Sequence, residues 1–419
     1  MANDRVDRPA VERGHLVDKR HSSGGHLPAL DGLRGLAIIA VIVCHVNWAL
    51  GGPFTVGRVA RPVAMVFGWG WIGVDLFFVL SGFLITGILY DAKGCDGFFR
   101  NFYARRALRI MPLYYGFLLF IVVMNRLHWL FTVWLSPESL VSLASYTYNF
   151  HVALIGHGDN FHHFWSLAVE EHFYLLWPLA VWALGRRSLM RLCLAGAAAS
   201  FLLRVILILG GTRPIAVFLI TPCRLDDLLA GAWVALAWRD QADWMPLRRH
   251  AGQLVLGSGC LLLGIALGQR HFIPDVDLRI YEAAVDGSLV ITVGIAALAV
   301  FFAGLIVLVV DAAQKSRWQR LLEAAVMRAI GKYSYAIYVL HPLILVVTVE
   351  SLWPLLHLPV CLAKPAVVIW TLAASFAAAW LSYHLYEKRF LALKRHFAYR
   401  EPASKAATRP LPHLSHSDA

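Results

Sequence analysis

Leu36-Ala37-Ile38-Ile39-Ala40-Val41-Ile42-Val43-Cys44-His45-Val46 is an apolar run with one imidazole set into it. It has no alternation of polar and apolar positions, so it reads as a helix rather than a half-buried strand. Leu30-Asp31-Gly32-Leu33-Arg34-Gly35 leads into it. On a helix, the step from Arg34 to His45 is three turns plus about 20°, so the two side chains share one face, about 16 Å apart along the axis. An ionisable residue deep in a membrane-length segment is costly and marks a functional site by default. The alternative, a packing residue satisfied by one backbone carbonyl, stays open at this point.

The rest of the chain supports the membrane reading. Of its 419 residues, 59% are hydrophobic and only 15% charged, with a mean hydropathy of +0.61. A soluble protein of this size exposes far more charge. The apolar runs are too long for barrel strands and lack their period of two. The expected fold class is therefore an all-α polytopic membrane protein with about ten transmembrane helices. The spans are placed near 35–50, 71–90, 111–126, 164–184, 189–210, 215–238, 251–269, 287–310, 333–351 and 366–386, the first extending toward Pro53. Residues 1–26 and 391–419 read as disordered tails flanking a membrane domain over 27–390. The polar first 33 residues predict no cleavable signal.

Charge gives the map a direction. With the N-terminus on the cytoplasmic side, 29 of the 38 Lys and Arg residues fall inside. Seven fall outside (Arg58, Arg61, Arg126, Arg213, Arg270, Arg279 and Lys364), and Arg204 and Arg224 lie within spans. That bias places both termini in the cytoplasm of a multi-pass inner-membrane protein. It holds only if 137–155 stays outside or in the interface. The net charge of +12 is thus topogenic and calls for no nucleic-acid partner; it suits anionic lipid of the bilayer or an anionic substrate. The six cysteines are scattered without CxxC or Cys/His spacing, so neither a disulfide framework nor a metal site is expected.

Five further constellations carry candidate chemistry. In Gly73-Val74-Asp75-Leu76-Phe77-Phe78-Val79-Leu80-Ser81-Gly82, Asp75 stands near the outer end of a span. Gly82 reads as a small residue for close helix approach, and Ser81 is a candidate nucleophile without a local base. Arg105, Arg106 and Arg109 precede Ile110-Met111-Pro112. Arg106 and Arg109 share a helix face, which suits a phosphate clamp as well as plain topogenic charge. Phe164-Trp165-Ser166-Leu167-Ala168-Val169-Glu170-Glu171 opens a span from outside. Ser166, Glu170 and Tyr174 form one stripe, while Glu171 points about 100° away. Arg224 with Asp226 or Asp227 suggests ion pairing inside a span. His341, in Tyr333-Ser334-Tyr335-Ala336-Ile337-Tyr338-Val339-Leu340-His341-Pro342, is a second intramembrane histidine.

In this order the segments resemble the acyltransferase type three family of membrane O-acyltransferases. The likeness spans residues 27–390 and is carried by Leu30-Asp31-Gly32-Leu33-Arg34-Gly35 with the arginine-x10-histidine spacing to His45. The run from Gly73 to Leu84, the Arg106-x-x-Arg109 pair and Trp165-Ser166-Leu167-x-x-Glu170-Glu171 follow. Glu387-Lys388-Arg389-Phe390 lacks the proline that often stands there in the family. The resemblance implies a ten-helix fold, an acyl-coenzyme A co-substrate (usually acetyl) on the cytoplasmic side, and a hydroxyl acceptor on a carbohydrate, glycolipid or antibiotic. It also implies a catalytic His45 with functional Arg34, Arg106 and Arg109.

The expected mechanism has coenzyme A phosphates on the arginines and His45 as general base or transient acyl carrier. Glu170 orients the acceptor or His45. Asp75, Ser81, Ser166, Glu171, Tyr174, Arg224, Asp226 and His341 are placed around the acceptor or the cavity. The rival reading is a proton-coupled transporter or flippase for a surface-polysaccharide precursor.

Overall fold

The computed structural model describes residues 27–50, 66–127, 135–156, 160–272, 288–311, 317–352 and 360–399. The expected N-terminal tail, the C-terminal tail beyond residue 399, the extension toward Pro53 and the outer-loop residues Arg58, Arg61 and Arg279 lie outside these, whereas residues 391–397, expected as part of a disordered tail, continue the last helix as helical turns. Among the described residues there is no β-strand, and eight helices are long and apolar enough to cross a membrane. α1 covers Pro28–Ala49, α2 Ile72–Asp91 and α3 Phe98–Arg126. Pro28 occupies the first turn of α1, where its missing N–H has no partner to lose.

The next segment holds two short helices, α4 (Pro137–Ala144) and α5 (Tyr148–Ile155). At eight residues each they are about 12 Å long, far short of a bilayer. The segment on which the charge map depended therefore contains no crossing helix.

α6 (Trp165–Ala183) and α7 (Arg186–Leu209) follow. α6 is not among the eight, because Glu170, Glu171 and His172 lower its hydropathy. The passage expected over 215–238 is broken rather than continuous. It comprises α8 (Pro214–Leu219), a 3-10 turn at Thr221–Cys223 and α9 (Leu225–Ala237). Pro222 removes an amide and disfavours helix at the residue before it. α9 restarts with Asp226 and Asp227 in its first turn, where the helix dipole favours carboxylates. The 13 residues of α9 reach about 20 Å. α10 (Gln241–Phe272), α11 (Ile295–Asp311), α12 (Arg317–Leu322), α13 (Ala325–Val347) and α14 (Val360–Ser382) complete the bundle. The last helix runs on through a π turn, α15 (Lys388–Ala392) and a 3-10 turn at Leu393–Phe397.

Ion pairs fasten the helix ends at one end of the bundle. Arg186 pairs with Asp240 and Asp243, Arg239 with Asp91 at 2.6 Å, and Arg248 with Asp311 at 2.5 Å. Within the bundle, several crossings bring backbones into contact, α1 with α13 and α2 with α9 among them. A Cβ at Gly331 on α13 would overlap the Asp31 carbonyl of α1, and a Cβ at Gly82 on α2 would overlap the Leu228 carbonyl of α9. The reciprocal position, Gly231 on α9, meets the Val79 carbonyl of α2. Gly82 thus does what a small residue in a membrane helix is expected to do. Gly82→Val should destabilise the bundle by about 1–3 kcal/mol or more, as overpacking does. A lowered thermal midpoint in detergent is the expected readout, and an unchanged midpoint would contradict the crossing.

Candidate active site

Two cavities among the described helices hold eight of the expected site residues between them, and Arg105, Asp75, Glu171, Arg224, Asp226 and His341 line neither. The first has a volume of about 330 Å³. Its walls are Arg34 of α1, Val74, Phe77, Ser81 and Ile88 of α2, and Arg106, Arg109 and Ile110 of α3. Ser166, Glu170 and Tyr174 of α6, Ser334, Tyr335 and Tyr338 of α13, and Lys394 beyond α15 complete it. Its lining residues on α2 run from Val74 to Ile88, about 21 Å apart along the helix.

Arg34, Arg106 and Arg109 are the chemical signature of one end. Arg186, Arg204, Arg224, Arg239 and Arg248 are all ion-paired, whereas no carboxylate forms a salt bridge to the three cavity arginines among the described residues. The buried Nε of Arg106 has no hydrogen-bond partner among the described residues. Arg109 donates to the Lys332 carbonyl at 3.4 Å, and Glu170 is the carboxylate on the same wall; guanidinium groups in a recess without a salt bridge suit an anion, phosphate above all. Lys394 adds a fourth cation that the sequence reading did not single out. Arg105 lies off the cavity wall and donates to the Lys394 carbonyl at 3.4 Å.

The stripe Ser166, Glu170 and Tyr174 faces the cavity as its helical spacing predicts. Ser81, which has no base nearby in sequence, is hydrogen-bonded to the Tyr174 hydroxyl, and both line the cavity with Glu170. Glu171, one step round the helix, is not on either wall.

His45 is not on this cavity. It lines the second, of about 360 Å³, with Trp48, Asn160, His162, His163 and Glu350. An apolar stripe of α13 and its extension (Pro342, Leu345, Val346 and Val349) forms the facing wall. The His45 Nδ1 lies 2.8 Å from the Val41 carbonyl. A carbonyl only accepts, so Nδ1 carries the proton and Nε2 keeps its lone pair.

What separates the cavities is thin. Tyr338 and Ser166 line the first and His163 the second. The Tyr338 hydroxyl donates to the His163 carbonyl at 2.7 Å and the Ser166 hydroxyl does so at 3.2 Å. The two hydroxyls are 2.5 Å apart. This septum stands between the arginine cavity and the imidazoles. His162 and His163 directly precede the Phe164-Trp165 run, a signal that reading α6 from its apolar part passed over.

Asp75, Arg224 and Asp226 line neither cavity. Arg224, fully buried, lies 2.5 Å from Asp75 and 3.0 Å from Asp227, with its guanidinium over the Phe218 ring at 4.9 Å. Asp226 belongs to Arg204 instead, in a bidentate pair at 2.6 and 2.9 Å. Of the two partners expected for Arg224, only Asp227 pairs with it. Desolvation explains the arrangement: each buried guanidinium needs a carboxylate, and Asp226 and Asp227, adjacent on a helix, point to different sides. His341 is buried beside His45, with ring centroids 5.1 Å apart.

The fold and these motifs define a class. The profile of the acyltransferase 3 family, described as an acyltransferase domain, matches residues 27–384, and the chain belongs to that family. It is 29% identical over 390 residues to the peptidoglycan O-acetyltransferase OatA of Listeria monocytogenes serovar 1/2a, covering 86% of this chain and 55% of that protein. It is 28% identical over 397 residues to the O-acetyltransferase OatA of Staphylococcus aureus strain NCTC 8325, covering 88% of this chain and 58% of that protein. The chain therefore spans little more than half the length of these relatives. No solved structure matches it significantly.

Proposed function

We propose that the chain transfers an acyl group, acetyl in the first instance, from acyl-coenzyme A to a hydroxyl of a cell-envelope carbohydrate. The observation that carries this reading is the pairing of a cavity rich in arginines without salt bridges with a separate histidine cavity, the two meeting at one hydrogen-bonded septum. Coenzyme A is polyanionic at one end and a thioester at the other. Its phosphates suit Arg34, Arg106, Arg109 and Lys394, and its narrow arm suits the stretch of the cavity that runs along α2 from Ile88 toward Val74. The acceptor belongs in the second cavity, where the unprotonated Nε2 of His45 removes its hydroxyl proton. Trp48, Asn160 and Glu350 offer an aromatic face and polar groups of the kind that hold a sugar. The names of the relatives point to peptidoglycan as the first acceptor to try. The charge distribution favours the inner membrane as the location, with the arginine cavity on the cytoplasmic side.

The test is acyl transfer by protein purified in lipid nanodiscs, given acetyl-coenzyme A and a muramic acid- or glucosamine-containing oligosaccharide. Free thiol release and an alkali-labile acetyl ester on the glycan are expected together. Arg106→Ala and Arg109→Ala should each raise the KM for acetyl-coenzyme A about 10- to 100-fold, since a hydrogen bond to a charged group contributes ~1.5–3 kcal/mol. Unchanged KM values in both would remove the arginine cavity from donor binding.

A further inference from the structure

The transfer reading uses one imidazole of a cluster. His341 is 0% exposed, with its ring 5.1 Å from His45 and 5.5 Å from His163. Its Nδ1 faces the Tyr338 carbonyl at 2.9 Å and the Ile337 carbonyl at 3.1 Å. The cause is in the sequence. Pro342 has no N–H to give the Tyr338 carbonyl, four residues back, and the neighbouring imidazole supplies one instead. Carbonyls do not donate, so Nδ1 holds the proton and Nε2 is a bare lone pair. That Nε2 is buried without a hydrogen-bond partner among the described residues. An unsatisfied buried acceptor costs about 1–3 kcal/mol and is explained if it receives a proton during turnover. His45, by its own contact with Val41, presents the same tautomer.

We propose that His341 is the proton partner of His45, taking up the proton that His45 removes from the acceptor and passing it toward the arginine cavity. The inference rests on His45 being the base. The acceptor O–H breaks to His45 Nε2, its oxygen forms the new C–O bond with the thioester carbonyl, and the C–S bond breaks. The departing thiolate takes up one proton, which balances the one removed. For the C–O bond to form, the thioester carbonyl and its sulfur must reach the acceptor oxygen beside His45; the thiol then leaves toward the arginine cavity, and the proton has to follow it past the septum. His163, both of whose ring nitrogens lack partners among the described residues, and Tyr338, with ring centroids 5.2 Å apart, bridge the gap. His45, His162, His163 and Tyr338 are the titratable groups facing His341. His341 lines neither cavity, so it is a positioning residue that acts through His45.

The test compares His341→Gln, Tyr338→Phe and His45→Ala with the wild type in nanodiscs, using acetyl-coenzyme A and the acceptor glycan. His341→Gln should lower kcat by about 10-fold or more, leave the KM for acetyl-coenzyme A unchanged, and enlarge the solvent deuterium isotope effect on kcat. Wild-type kcat and isotope effect, or a loss confined to KM, would overturn the proposal. Should His341→Gln fail to fold, Tyr338→Phe decides. It keeps the His341 ring and removes the hydroxyl from the route, so an unaltered isotope effect there counts against the proposal. Wild-type turnover by His45→Ala would instead overturn the base assignment, whatever the other variants do.

Discussion

Replacing His45 with alanine is expected to lower acyl transfer by about 10²- to 10⁴-fold, the usual contribution of a positioned general base. The affinity for acetyl-coenzyme A should not change, because His45 lies on the second cavity and not among the arginines. That separation gives the variant a distinctive signature: loss of kcat with intact donor binding, measured by calorimetry on nanodisc-embedded protein. Loss of the ring packing against Trp48 and His341 should lower stability modestly but leave the fold intact, since the ring's hydrogen bond is the 2.8 Å one to the carbonyl of its own helix at Val41. His45→Gln, which keeps a donor for that carbonyl but cannot accept a proton, should be as inactive as the alanine variant. Wild-type turnover in either would end the assignment.

The second large effect is on stability. Arg224→Met should cost about 3–5 kcal/mol, because it leaves Asp75 and Asp227 buried with no cation between them. Both carboxylates and the guanidinium are fully buried, so water cannot take over the lost contact. Adding Asp75→Asn and Asp227→Asn to Arg224→Met should restore much of the loss, since the penalty comes from stranded charge rather than from the missing side chain. The thermal midpoint in detergent would show it. If the single and triple variants melt together, the buried charges contribute nothing to this end of the bundle.

Much of the fold was legible because membrane helices announce themselves through hydropathy. The stretch 137–155, the weak point of the charge map, contains only α4 and α5, which are too short to cross. The passage over 215–238 was misread as continuous although Pro222 stands in it. Its apolar average hid a break that serves to deliver Arg224 to Asp75, 149 residues away. No local pattern shows such a contact. The same holds for the site. Helical spacing placed Ser166, Glu170 and Tyr174 on one face, and they do line one cavity. That Arg34 and His45, sharing a face of α1, open into different cavities depends on Tyr338 arriving from α13 and His163 from the turn before α6, and no local pattern shows that the two meet.

The septum of Ser166, Tyr338 and the His163 carbonyl has an electrical consequence. Elsewhere the bilayer insulates with about 30 Å of hydrocarbon. Were both cavities filled with water from opposite sides, the insulation here would be far thinner and a large share of the membrane potential would fall across this layer. An imidazolium formed beside it would sit in a concentrated field, where one charge crossing the full drop is worth about 2.3 kcal/mol per 100 mV. Proton movement there would be driven or opposed by the cell's voltage as well as by chemistry.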